Sequence, residues 1–193
     1  MPLRTIAPCW NIVTPAQPAG ACKLAIVIEP GTSFGDGGHP TTQLCLQAIA
    51  ALAPRARQGW RMLDFGSGSG ILAIAAARLG AQVDAIEIDA AAVAEAERNA
   101  QLNGLSDRIC YARTLDGVIG PLELVVANIL QPVLLEYAVG LTGRLAVAGT
   151  LVVSGLVATD VPAISARYAP LLGGRRPEIF ELDEWRALLW RRT

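Results

Sequence analysis

The sequence predicts an α/β fold, in which helices cover both faces of a mostly parallel β-sheet. Three observations support this prediction. From Arg61 onwards, strand-like apolar segments alternate with helix-like segments, as they do in doubly wound sheets. A glycine-rich loop joins the first of these strands to the helix that follows it. Hydrophobic residues make up 52% of the 193 residues, which suits a sheet whose central strands are buried on both faces.

Before Arg61 the sequence predicts a lead-in and one helix. The predicted elements are an extended segment (1–20), a strand (23–29, KLAIVIE), a turn-rich loop (30–40) and a helix (41–53). The helix has apolar residues at helical spacing, Thr41 or Thr42 as its N-cap, and Pro54 after its last turn.

From Arg61 the alternation is regular. The predicted elements are strands at 61–65, 82–88, 108–112, 122–128 and within 145–156, helices at 71–80, 89–103, 131–143 and 159–170, and one or two strands in the tail 178–192. Asp89 caps the long alanine-rich helix, which stops at Gly104. No repeat or linker interrupts the pattern, so we expect residues 1–193 to form a single domain.

The charge balance argues against nucleic acid and membrane partners. Lys and Arg number 16 against 17 Asp and Glu, so the chain lacks the basic excess that binding to nucleic acid requires. The N-terminus lacks the apolar core of a signal peptide. The uncharged stretch 145–159 is shorter than the roughly 20 residues of a membrane span. We therefore expect a cytoplasmic protein.

The cysteines do not favour a metal site. Cys9, Cys22, Cys45 and Cys110 form no C-x-x-C pair, and the chain has a single histidine. This pattern predicts buried free thiols in a reducing compartment.

The segment from Leu63 to Gly70 (LDFGSGSG) carries the strongest functional signal. Glycines between a buried strand and a helix let the backbone approach a ligand closely, and the start of the helix presents unpaired N–H groups. Glu87, at the end of the next strand, lies 21 residues after Gly66. This is near the ~20-residue spacing at which an acid accepts hydrogen bonds from ribose hydroxyls. The segment therefore predicts a cofactor that contains a ribose.

Two cofactors fit this segment. Residues 68–73 match the dinucleotide pattern G-x-G-x-x-[GA], which keeps an NAD-dependent oxidoreductase open. Asp64, before the first glycine, would repel a pyrophosphate but suits the cationic sulfonium and amino group of S-adenosylmethionine. The pattern also shows no second domain of the kind that carries a dehydrogenase substrate. S-adenosylmethionine is therefore favoured.

These motifs resemble those of the ribosomal protein L11 methyltransferase (PrmA) family. The similar segments are PGTSFGDGGHPTTQLCLQ (30–47), LDFGSGSGILAIAA (63–76), IEIDAAAVAEAERNAQLNGLSDR (86–108), LVVANIL (124–130), SGL (154–156) and EWRALLWRR (184–192). The resemblance covers the chain from about Ala7 to its end. It implies a Rossmann-like class I methyltransferase fold, with a seven-stranded sheet whose last strand is antiparallel. It also implies that the cofactor lies across the carboxyl ends of the first strands.

The resemblance and the glycine loop together give a set of cofactor-binding residues. By position in the family's motifs, the resemblance implies Phe34, Thr42, Gly66, Glu87 and Asn128. The loop adds Asp64, Ser67 and Gly68, and Ile88 follows the ribose-binding acid. Glu87 stands where the family more often has Asp, which preserves a carboxylate.

Three residues are candidates for the methyl acceptor side. Asn128 and Ile129 resemble the family's N-I-L element, in which the Asn carbonyl and the following backbone carbonyl accept hydrogen bonds from an amine. Asn128 could instead end its strand and cap the next helix. Asp36 replaces a hydroxyl of the family's loop, and it either complements a cationic donor or amine or is a solvated turn residue.

Other aromatic and histidine residues are expected to be structural. We expect His39 to anchor its loop rather than to act as a base. Trp10, Trp60, Trp185 and Trp190 are expected to be packing groups.

The sequence thus predicts an S-adenosylmethionine-dependent methyltransferase that acts on nitrogen. The acceptor is expected to be a protein lysine or amino group, or a small amine. Because the loop differs from the family pattern at Asp36 and Gly38, a second interpretation stays open. In it, the protein is a homologue that binds the cofactor but has no catalytic activity. The family's N-terminal substrate-recognition domain is expected to be absent, so the ribosomal substrate is not carried over.

Overall fold

The computed structural model describes residues 10–16, 24–53 and 59–192. The strands are β1 (Asn11–Val13), β2 (Ala25–Val27), β3 (Arg61–Phe65), β4 (Gln82–Ile86), β5 (Ile109–Ala112), β6 (Leu122–Asn128), β7 (Leu145–Val157), β8 (Glu178–Leu182) and β9 (Trp185–Arg191). The helices are α1 (Pro40–Leu52), α2 (Ile71–Arg78), α3 (Ala90–Leu102), α4 (Gln131–Gly143) and α5 (Val161–Tyr168).

Seven strands form the central sheet in the order β5-β4-β3-β6-β7-β9-β8. The strands from β5 to β7 are parallel, and β9 runs antiparallel to both β7 and β8. This confirms the predicted fold, including its antiparallel last strand. The chain runs outwards from β3 through β4 to β5, and then crosses to β6 on the other side of β3. Ligands of open α/β sheets bind at such a switch point, at the carboxyl ends of the strands.

The residues of β3 alternate between the two faces of the sheet, as a strand requires. Met62 belongs to the apolar cluster that packs under α1 and α2. Leu63 and Phe65 belong to the cluster on the opposite face, under α4 and α5. The alternation places Asp64 on the face of Met62, where its carboxyl group is fully buried.

The lead-in forms a small sheet of its own. Strands β1 and β2 pair in parallel, with Asn11 opposite Ala25 and Val13 opposite Val27. The indole N–H of Trp10 donates to the carbonyl oxygen of Leu46 at 3.0 Å, which ties the lead-in to α1. The strand predicted at 23–29 is confirmed over Ala25–Val27, and residues 1–9 and 17–20 of the predicted extended segment lie outside the described residues.

The structure corrects three local predictions. His39, rather than Thr41 or Thr42, caps α1, because Pro40 occupies the first helical position and starts the helix earlier. The helix predicted over 159–170 is α5, flanked by one 3₁₀ turn on each side. Cys45 is buried as expected, but Cys110 is exposed on edge strand β5. Cys9, Cys22 and Pro54 lie outside the described residues.

Within the part of the chain that the structure describes, every helix is too short or too polar to cross a membrane.

Candidate functional site

A cavity of about 480 Å³ opens at the carboxyl ends of β3, β4 and β6. Its walls come from residues 32–35 of the loop before α1, the start of α1, the glycine loop after β3, and the ends of β4 and β6. Trp185, at the start of β9, completes the wall. The topology therefore brings together segments that the sequence keeps far apart.

The glycine loop adopts backbone conformations that favour glycine. Gly66 has a φ of 81° and Gly68 a φ of 51°. A Cβ atom on Gly68 would lie 2.5 Å from the carbonyl oxygen of Phe34, so the loop can pack this closely only with glycine there. The N–H groups of Gly66 and Ser67 donate to the carbonyl oxygen of Ile86 at 2.8 and 3.0 Å, which ties the loop to the end of β4.

Glu87 follows β4 and lines the cavity. Its Oε2 accepts a hydrogen bond from the backbone N–H of Gly68 at 3.0 Å, and its Oε1 accepts one from the N–H of Asp89 at 3.1 Å. A carboxylate can accept about four hydrogen bonds. Glu87 is therefore held in place and still has acceptor capacity on the cavity side.

Three residues that line this cavity carry polar atoms without a protein partner. Among the described residues, the Oγ1 of Thr42, the Oγ of Ser67 and the Oδ1 of Asn128 are buried and make no hydrogen bond. Unsatisfied buried polar atoms are rare in folded proteins because each costs about 1–3 kcal/mol. Three of them around one cavity indicate a polar ligand.

Asp64, two residues before Gly66, is fully buried and does not line the cavity. Burial is the main reason that the pKa of its carboxyl group rises from 3.8 to about 7. The negative charge of Glu87 adds to this rise, and the backbone N–H of Ala73, in the first turn of α2, offsets part of it. Neither carboxylate oxygen has a well-formed hydrogen bond within the described parts of the chain. Asp64 is thus a proton-binding group near neutral pH rather than a fixed anion.

Asn128 and Ile129 stand at the end of β6, on the side of the cavity that faces β7. The N–H of Ile129 donates to the carbonyl oxygen of Ser154 at 3.2 Å. Gly155 has a φ of 85°, and a Cβ atom there would lie 2.7 Å from the carbonyl oxygen of Ile129. The turn after Asn128 therefore depends on a glycine in the neighbouring strand.

Three aromatic rings form one edge of the cavity. The ring of His39 lies edge-on between those of Phe34 and Trp185, at centroid distances of 5.1 and 4.7 Å. The Nδ1 of His39 also accepts a hydrogen bond from the N–H of Thr41 at 3.3 Å, which agrees with the expected anchoring role. Trp185 was expected only to pack, yet it lines the cavity. The sequence did carry one signal for this position. An antiparallel strand begins at the edge of the sheet where the parallel strands end, so the first residue of β9 lies beside the cavity.

Most of the predicted site residues meet at this cavity, but three do not line it: Asp36, Ile88 and the buried Asp64. Those that line it are Phe34, Thr42, Gly66, Ser67, Gly68, Glu87, Asn128 and Ile129. Asp36 lies beside a separate cavity behind the loop, where its Oδ1 accepts from the N–H of Gly38 at 2.8 Å, as in a solvated turn. The Ile88 side chain is 74% exposed and lies outside the lining.

Comparison with known proteins identifies the family. Residues 4–193 match the model of the family described as ribosomal protein L11 methyltransferase (PrmA). The chain belongs to the PrmA family. A curated PrmA-family relative, the ribosomal protein L11 methyltransferase of Trichlorobacter lovleyi, is 40% identical over 97% of this chain and 61% of its own length. The chain spans about three fifths of the length of the curated relatives it matches.

Solved structures support the same family and fold. The crystal structure of a ribosomal protein L11 methylase from Lactobacillus delbrueckii subsp. bulgaricus is 33% identical, with a TM-score of 0.82 and coverage of 97% of each chain. An RNA methyltransferase from Salinibacter ruber, in complex with S-adenosyl-L-homocysteine, has a TM-score of 0.60 over 80% of this chain and 94% of its own. At 21% identity, this second likeness shows the class I methyltransferase fold alone.

Proposed function

We propose that this chain binds S-adenosylmethionine in the cavity and transfers its methyl group to an amine. The observation that carries the proposal is the combination of Glu87, held after the end of β4, with unpartnered polar atoms on other residues that line the same cavity. Membership of the PrmA family supports the same chemistry.

The residues present fit S-adenosylmethionine. Glu87 has the free acceptor capacity that the two ribose hydroxyls need. Gly66 and Gly68 give the backbone close access beside it. Thr42 and Ser67 offer unpartnered hydroxyl groups for the polar methionine end. When bound, the cofactor supplies an already activated methyl group on a cationic sulfur.

Asp64 would influence the cofactor through its charge, although its side chain does not line the cavity. A cation close to a carboxyl group favours its ionised form. Asp64 is neutral or half-ionised at neutral pH in the ligand-free protein, as its raised pKa of about 7 indicates. Binding of a cation would therefore ionise Asp64. From the sequence, Asp64 was expected to be an anion whether or not the ligand is bound.

Asn128 and Ile129 would receive the acceptor amine. The unpartnered Oδ1 of Asn128 can accept a hydrogen bond from an amine and orient its lone pair. The methyl donor needs no acid catalyst. The protein would therefore lower the activation barrier mainly by aligning the amine nitrogen with the methyl group and the sulfur. Such alignment can lower a barrier by several kcal/mol, with an upper range of about 7–11. A lysine of ordinary pKa near 10.4 costs about 4.6 kcal/mol to deprotonate at pH 7. A partly closed apolar wall lowers that cost because it disfavours the charged form.

We propose an amino group on a protein as the acceptor, since the relatives are named for a ribosomal protein. Asp36 has no part in the proposed reaction, because it lies behind the loop. The dinucleotide alternative is not favoured, because the family to which the chain belongs is described as a methyltransferase family.

Calorimetric titration of this chain tests the proposal. We expect S-adenosylhomocysteine to bind with a stoichiometry of one and NAD not to bind. Transfer of labelled methyl from S-adenosylmethionine to purified ribosomal protein and to lysine-rich peptides then tests catalysis. Binding of NAD in place of S-adenosylhomocysteine would overturn the proposal.

A further inference from the structure

Glu95 is a buried carboxylate on the inner side of α3. Its side chain is 7% exposed, and it stands among small apolar residues of the same helix, Ala92, Ala96 and Ala100. No lysine or arginine pairs with it among the described residues. A buried charge without a counter-ion is costly, and alanine is the better helix former. Glu95 therefore has a role beyond the stability of α3.

The contacts of Glu95 go to the loop that lines the cavity. Its Oε2 accepts hydrogen bonds from the hydroxyl of Ser33 at 2.9 Å and from the backbone N–H of Ser33 at 3.4 Å. Gly31 lies so close that a Cβ atom there would be 2.1 Å from the Oε1 of Glu95. The carboxylate thus lies against Gly31 and Ser33 and joins this part of the loop to α3.

The residue after Ser33 is Phe34, which stands at the cavity mouth. The carbonyl oxygen of Phe34 accepts from the N–H of Ser69 at 3.0 Å, and the carbonyl oxygen of Gly35 accepts from the hydroxyl of Ser69 at 2.6 Å. The loop is therefore attached to the glycine loop on one side and to Glu95 on the other. Phe34 is held between these two attachments.

Asn99, one helical turn after Glu95, reinforces the same arrangement. Its Oδ1 accepts from the N–H of Glu29 at 2.9 Å, and its Nδ2 donates to the carbonyl oxygen of Ser69 at 2.9 Å. Residues four apart lie on the same face of a helix. One face of α3 thus holds both the cavity loop and the glycine loop.

We propose that Glu95 is a positioning residue, which latches residues 31–35 onto α3 through Ser33 and so presents Phe34 at the mouth of the cofactor cavity. Its effect on cofactor affinity rests on the proposed function. A loop that is already in place before the ligand arrives loses less freedom on binding. Loss of the latch therefore weakens the cofactor complex without removing any group that touches the cofactor.

Hydrogen exchange of the ligand-free protein tests the latch independently of any ligand. In Glu95→Ala, we expect the amides of residues 31–35 to exchange at least tenfold faster, while peptides from β3 and β6 keep their protection. Glu95→Gln retains one acceptor oxygen for Ser33 and should recover most of the protection. Glu97→Ala is the matched control, because Glu97 is an exposed carboxylate two residues further along α3.

Affinity for S-adenosylhomocysteine gives the second measurement. We expect the Kd to rise about tenfold in Glu95→Ala, to rise a few-fold in Ser33→Ala, and to stay unchanged in Glu97→Ala. Loss of protection throughout the sheet in Glu95→Ala would mean that this variant is unfolded. Ser33→Ala then tests the latch, since it removes only the hydroxyl that donates to Glu95. Unchanged exchange of residues 31–35 in both variants would overturn the latch. The two ideas can fail separately. If residues 31–35 exchange faster in Glu95→Ala but the unmodified protein does not bind S-adenosylhomocysteine, the latch is supported and the proposed function is overturned.

Discussion

The carboxylate of Glu87 accepts a hydrogen bond from the backbone N–H of Gly68, which joins the residue after β4 to the glycine loop. This bond leaves acceptor capacity on the cavity side, where the proposed ribose would lie.

Glu87→Ala should weaken the binding of S-adenosylhomocysteine by about 1–3 kcal/mol, because two ribose hydroxyls lose their acceptor. Calorimetric titration measures the change, and Glu97→Ala, an exposed carboxylate on α3, is the control. Glu87→Asp should lose less, since it keeps a carboxylate. An unchanged Kd in a variant whose circular dichroism is normal would contradict the ribose assignment.

Asn128→Ala should lower turnover far more than it lowers donor affinity. The Oδ1 of Asn128 is unpartnered in the structure, and we assign it to the acceptor amine. Single-turnover methylation and calorimetric titration of the same preparation separate the two effects. Equal losses in both measurements would place Asn128 on the amino-acid end of the donor instead.

Gly155→Ala should lower turnover and stability more than Gly104→Ala does. Both glycines have positive φ, at 85° and 66°, so both variants bear a backbone strain of about 1 kcal/mol. Only at Gly155 would the new Cβ approach the carbonyl oxygen of Ile129, at 2.7 Å, while Gly104 has open space. Urea unfolding and single-turnover rates of the two variants give the comparison. Equal rates in both would show that the Ile129 carbonyl has no part in the reaction.

Asp64 should make the free energy of unfolding depend on pH. Its pKa is about 7 in the folded protein against 3.8 ordinarily, mainly because of burial. Between these values the folded state binds the proton more strongly, so the free energy of unfolding falls as pH rises from about 4 to about 7 and then levels off. The upper limit of the fall is about 4 kcal/mol for a shift of roughly three units.

The matched variant for this effect is Asp64→Asn. Urea unfolding at pH 5, 6, 7 and 8 should show a fall in the original chain that the variant lacks, apart from a constant offset for the buried amide. Cys45, whose pKa burial raises to about 12, stays neutral over this range and adds nothing to the slope. Parallel pH profiles of the two proteins would show that Asp64 titrates normally.

The sequence predicted the sheet well because its signals are local. Each parallel strand is a short apolar run, and glycine or an N-cap residue marks most of the helix ends, as Asp89 does for α3. Glu87 could be placed opposite the glycine loop because successive parallel strands end at one edge. The sequence left two roles open for Asp36, because a loop sequence does not reveal which side of the loop a side chain occupies.

Other features could not be predicted from the sequence because they depend on contacts between distant segments. The contact between His39 and Trp185 joins the start of α1 to the last strand of the sheet. The pairing of Glu95 with Ser33 joins two residues 62 positions apart. Glu95 lies in an alanine-rich helix, where the pattern alone gives a charged residue no special meaning.

The ring contact between His39 and Trp185 also has a consequence for the order in which the molecule is made. A ribosome synthesises residue 39 long before residue 185. The edge of the cavity formed by Phe34, His39 and Trp185 therefore stays incomplete until β9 has been added. Contacts between residues far apart in the sequence slow folding, because the chain between them must first be brought together. A nascent chain that lacks β9 would therefore have an unfinished cavity, and the proposed methyl transfer would begin only after β9 has been synthesised.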